Sequence, residues 1–119
     1  MKYTFDINTK TIVTLTETMY FEAWDGMREV DLMSVDKVKQ KFDCPNGPEM
    51  AKFKSANILA VKTIIGEYVG TRYRDNKPHI IKIKAYSCGL MHPDSEYFII
   101  YPDDIMSINE YELKPNELN

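Results

Sequence analysis

Long apolar runs are missing from this 119-residue sequence. No stretch approaches the roughly 18 apolar residues a membrane-spanning helix needs. The opening residues, Met1-Lys2-Tyr3-Thr4-Phe5-Asp6, hold no apolar core of a signal peptide, so a cytoplasmic protein without membrane contact is expected. Cysteine is almost absent. Cys44 and Cys88 are too few for a disulfide framework and read as two free, mostly buried thiols in a reducing compartment. Histidine is equally scarce, at two. Zinc sites usually show paired ligands at short spacing, twice over. Here Cys88-x3-His92 supplies one weak half, with Cys44, His79 and Asp94 as conceivable further ligands. No metal and no cofactor is expected. The same scarcity argues against nucleophilic catalysis. A Cys44 or Cys88 dyad with His79 or His92 can be drawn, but no glycine-rich elbow supports one. Asp103-Asp104, just after Pro102, reads as a pair of turn formers rather than an acid–base pair. The chain is therefore expected not to be an enzyme.

Arginine is also rare, at three residues against twelve lysines. That bias is common in AT-rich genomes, including many phages. It suggests a viral or mobile-element protein acting as an inhibitor or regulator of a host factor. Charge is unevenly placed. Residues 36–92 carry eleven basic groups against five acidic, whereas residues 93–119 carry one against seven. A basic middle between acidic ends can steer a charged partner.

What the chain does contain is β-strand pattern. Length and composition fit one domain with one core. Tyr3, Phe5 and Ile7 alternate with polar residues, as a half-buried strand would. Residues 11–17, T-I-V-T-L-T-E, are rich in β-branched side chains and read as a second strand. Asp25-Gly26 predicts a tight hairpin, because glycine accepts the positive φ that such a turn demands. Residues 1–33 thus form a β-meander. Residues 34–56 read as a helical linker with two short helices. Ser34 is placed to cap the first, over 35–43, and Pro48 to open the second. Residues 57–113 return to antiparallel strands, and 114–119 form a tail.

The stretch 60–101 is the centre of the reading. It gives three strands in succession, with Gly66 and Gly70 marking bends or bulges in the first and Asp75-Asn76-Lys77-Pro78 turning into the second. The expected fold is α+β, a mostly antiparallel β-sheet or small, partly open SH3-like barrel, with two short helices between its N- and C-terminal strands. The run Y-F-I-I-Y-P-D-D-I-M-S-I-N-E-Y-E-L is similar, at the level of fold only, to the closing strands of SH3-like and Sm-like barrels. A likeness of fold implies no function.

Parity along these strands nominates a binding face. If Val69, Thr71 and Tyr73 face the core with Ile81, Ile83 and Ala85, then Tyr68, Arg72, Arg74, Lys82, Lys84 and Tyr86 share the opposite side. Four cations and two rings there could neutralise phosphates and stack on bases, which is the nucleic-acid reading. The same residues could meet an anionic protein. Met19, Tyr20, Phe21 and Trp24 form a separate aromatic group among Glu22, Asp25, Glu29 and Asp31, with Tyr20 and Trp24 as candidate interface anchors. The expected function is a small non-enzymatic binding module acting by protein–protein contact, with nucleic-acid binding as the alternative. Exposed edge strands leave a homo-oligomer open.

Overall fold

The long strand expected after the linker forms as one continuous element. In the computed structural model β3 spans Ile58–Arg74, 17 residues, and is broken by register shifts at Ile65/Gly66, Tyr68/Gly70 and Arg72/Tyr73. The structure describes residues 2–22, 29–43, 45, 58–87 and 97–111. Asp75 and Asn76, with φ of 52° and 63°, make a two-residue turn into β4 (Lys77–Ser87). Both positive φ values match the type I′ geometry that suits a twisted hairpin. The other strands are β1 (Lys10–Glu22), β2 (Glu29–Asp31), β5 (Tyr97–Ile100) and β6 (Ile105–Glu110), the last two joined through a 3₁₀ turn at Pro102–Asp104. The spatial order is β2-β5-β4-β3-β1-β6.

Three expectations are corrected. First, the sheet is mixed, because β2 pairs in parallel with β5 rather than folding back as a hairpin on β1. Val30 explains the choice. It is flanked by exposed Glu29 and Asp31, is itself 1% exposed, and stands opposite the fully buried Phe98, so the pairing adds its one apolar side chain to the core. Second, no SH3-like barrel closes. Among the described residues a single bridge, Tyr20 with Met33, links the segment after β2 to β1, and β2 and β6 are the edges of an open sheet. Third, residues 2–6 lie outside the sheet. Tyr3 and Phe5 still pack on the core, but Ile7 is 70% exposed beside Asn8, whose φ of 72° turns the chain.

One short helix, α1 (Val35–Lys41), is present among the described residues. Ser34 caps it, its hydroxyl accepting the Lys37 backbone N–H at 3.2 Å, and Val38 is its buried residue. The second expected helix and the Asp25-Gly26 turn lie outside the described residues. The main core is held by Val13, Leu15, Phe21, Val30, Ile64, Tyr68, Ile81, Ile83, Phe98 and Ile100. Phe21 on β1 and Phe98 on β5 meet edge-on, with ring centroids 5.3 Å apart, although these strands are not neighbours. The sheet therefore curls until its two ends share one interior.

Candidate functional site

Curling buries one face of β2, β5, β4 and β3 and leaves the other as a shallow groove of about 380 Å³. Glu29 and Asp31 form one wall, from β2. Ile99 and Tyr101 come from β5 and the residue following it, Ile80 and Lys82 from β4, and Val69, Gly70, Thr71 and Arg72 from β3. The floor is apolar and partly open, with Ile80 and Ile99 half-buried and Tyr101 41% exposed. His79 meets the Tyr101 ring edge-on at 5.8 Å, which steadies the aromatic end of the groove.

The bulges decide which of the expected residues arrive here. Straight parity through Gly70 puts Tyr68 on the outer face. The structure places it in the core at 3% exposure, opposite Ile83, with its ring 5.6 Å from Phe5. Between Tyr68/Ile83 and Gly70/Lys82 one residue of β3 is extra, so Val69 is displaced toward the groove and parity reverses across it. The phenol stays satisfied by a 2.6 Å hydrogen bond with Thr71 Oγ1, which in turn donates to the Tyr3 carbonyl. Arg72 and Lys82 do reach the groove. Lys84 is exposed, in register with Glu67 on one side and Tyr97 on the other, and Arg74 sits exposed at the hairpin end opposite Lys77. The Tyr86 side chain and Trp24 lie outside the described residues. Tyr20 is half-buried against Met33, Val38 and Ile58, so it serves a small secondary core.

The acidic wall is the feature that strand parity could not reveal. Lys82 Nζ donates to Glu29 Oε1 at 2.6 Å and also stands 5.1 Å over the Tyr97 ring. That hydrogen bond, then the Lys82 charge, and more weakly the Arg72 charge, hold the Glu29 carboxyl below its usual range. The acidic and basic patches, separate along the sequence, are brought onto one face by the parallel β2–β5 pairing. Sequence offered one usable signal, the single apolar Val30 between two acids, but not which strand it would join.

Cys44, Cys88, His92 and Asp94 lie outside the described residues, and among the described residues no three His, Cys, Asp or Glu side chains converge as metal ligands. Asp103 and Asp104 occupy the 3₁₀ turn, where the Asp104 N–H donates to the Tyr101 carbonyl at 2.9 Å. Burial raises the Asp104 pKa, and the neighbouring charges of Asp103 and Glu17 add to it. A raised carboxyl favours the protonated form in the folded state, so its ionisation opposes folding once the pH exceeds the ordinary carboxylate value of about 4. Asp104→Asn is therefore expected to raise the melting temperature near neutral pH, with the gain disappearing below about pH 4; melting curves over that range check it. Among the described residues no helix is long and apolar enough to cross a membrane. Compared with known protein families, curated proteins and solved structures, the chain matches none of them.

Proposed function

We propose that the chain is a non-enzymatic module that binds protein through the open face of β2, β5, β4 and β3. The observation that carries this is the composition of the groove, a floor of Ile80, Ile99 and Tyr101 crossed by Lys82, with a carboxylate wall on β2 and a guanidinium on β3. Protein interfaces pair a partly apolar centre with a polar rim of both signs. The nucleic-acid reading fits less well. A phosphate backbone laid on Arg72 and Lys82 would also meet Glu29 and Asp31, Lys82 is already held by Glu29, and Tyr68 is not available to stack on a base.

Replacing Tyr101 by the photocrosslinker p-benzoylphenylalanine is expected to give a protein adduct on irradiation in cells that express the chain. The same probe at Met106, exposed on β6, is expected to give none. Labelled single- and double-stranded oligonucleotides should show no salt-sensitive binding by anisotropy. Adduct at neither position, or tight binding to nucleic acid that weakens steeply with salt, would reverse the assignment.

A further inference from the structure

We infer that the partner at this face is a second copy of the chain, packed face to face about a two-fold axis that runs along the strands between β4 and β5. The inference rests on the protein-binding reading above and names its occupant. It begins with the strand register. Asp31 stands opposite Ile99, Ile99 opposite Lys82, and Lys82 opposite Gly70, so one row crosses all four strands. A carboxylate closes the row at the β2 end. At the β3 end there is no side chain. Three strand spacings of about 4.8 Å separate the ends by roughly 14 Å.

Two charged groups on this face make no direct contact with an opposite charge, although Arg72 acts on Glu29 from a distance. Neither Asp31 nor Arg72 makes an ion pair or side-chain hydrogen bond among the described residues, and Arg72 lies two residues along β3 from Gly70 in the same groove. The Gly70 position is itself open, since a Cβ built there meets no atom within 4 Å. Its φ lies outside the left-handed region, so neither backbone conformation nor packing requires glycine at this point. What the missing side chain provides is room on the groove floor.

A two-fold axis along the strands keeps each row at its own height and reverses its direction. The partner's Asp31 is then laid over Gly70 within reach of Arg72, and Asp31 is laid over the partner's Gly70 beside the partner's Arg72. The Asp31 row is thereby self-complementary, as an isologous interface requires, while the neighbouring row lays Glu29, already held by Lys82, over the partner's Glu67. Charge on the Asp31 row favours this axis over one across the strands. An axis across the strands would stack β2 on β2 and bring the Glu29 and Asp31 carboxylates of both copies together. Ile80, Ile99 and Tyr101, partly open in the single chain, supply the apolar centre.

Sedimentation velocity on the purified chain tests this from roughly 1 to 100 µM, a range that spans micromolar dissociation constants. A monomer–dimer equilibrium is expected. Arg72→Asp and Asp31→Arg should each weaken it at least about tenfold by placing like charges at both contacts. Mixing these two variants should restore a dimer, because every contact across the mixed pair then joins opposite charges. Gly70→Leu should be monomeric while melting like the wild type. Circular dichroism on each variant separates loss of contact from loss of fold. A wild type that is monomeric throughout, a dimer that survives all three substitutions, or a mixture that stays monomeric overturns the two-fold contact. If the wild type is monomeric and the Tyr101 probe crosslinks a different protein, only the two-fold contact is lost. If the probe gives no adduct either, the protein-binding reading falls with it.

Discussion

Gly66→Ala is expected to destabilise the fold by at least about 3 kcal/mol, whereas Gly70→Ala, four residues along the same strand, should change stability by less than about 1 kcal/mol. A Cβ on Gly66 would lie 2.3 Å from the Lys84 carbonyl oxygen, and 2.8 Å from both Ala85 Cα and Ile83 Cγ2. The two nearest atoms are backbone of the paired strand, so they cannot swing aside as the end of a long side chain could. Relief would require β3 and β4 to part at the Gly66–Ala85 pair, beside the bulge at Ile65. The opposite neighbour is committed as well, because the Thr11 hydroxyl, fully buried, donates to the Gly66 carbonyl at 3.1 Å. Moving β3 away from β4 therefore strains its contact with β1. At Gly70 none of this applies, and alanine gains a little by restricting the unfolded chain. Urea denaturation of the two variants gives the comparison directly. Equal stabilities would show that the close approach at Gly66 is absent in solution.

The two glycines also mark where sequence reasoning stopped short. Both are legible as bulge sites, since an isolated glycine in a strand pattern signals a bulge or a close approach. The meander of β3, β4 and β5, the Asp75-Asn76 turn and the Ser34 cap are legible for the same reason, being set by residues near in sequence. Which side chains share a face is a different matter. One displaced residue at Val69 reverses parity, sends Tyr68 into the core and removes a ring from the supposed basic face. The β2 position is less accessible still. Three residues, Glu29-Val30-Asp31, carry no pattern that separates a hairpin on β1 from a parallel pairing with β5. That choice depends on Val30 finding Phe98, a contact between distant parts of the chain. So the Arg72 and Lys82 half of the groove could be read from the sequence, while the carboxylate half had to be seen in the fold.

Phe98→Ala is expected to cost about 3–5 kcal/mol, the range for truncating a fully buried aromatic, and to lower the melting temperature by roughly 10–20 °C. Phe98 is 0% exposed, on a strand between β2 and β4, and does three things there. It stands opposite Val30 on β2 and opposite Ile83 on β4, and its ring meets Phe21 at 89° across the interior. The Phe21 contact joins strands that no ladder hydrogen bond connects, so it helps hold the curl that separates groove from core. Truncation leaves a void between both ends of the sheet, and the surrounding strands, fixed by their own ladders, can collapse into it only in part. Phe98→Leu keeps most of the volume and should recover more than half of the loss. The cost should not be uniform along the sheet. β2 is three residues long and takes its one buried side chain to the Val30–Phe98 pair, so in Phe98→Ala its amides should lose hydrogen-exchange protection before those of β3 and β4. With β2 loosened, Glu29 no longer holds Lys82 in place, and the acidic wall of the groove goes with it. A Phe98→Ala variant that melts within about 2 °C of the wild type, or that exchanges evenly across all strands, would mean that the curl is held elsewhere.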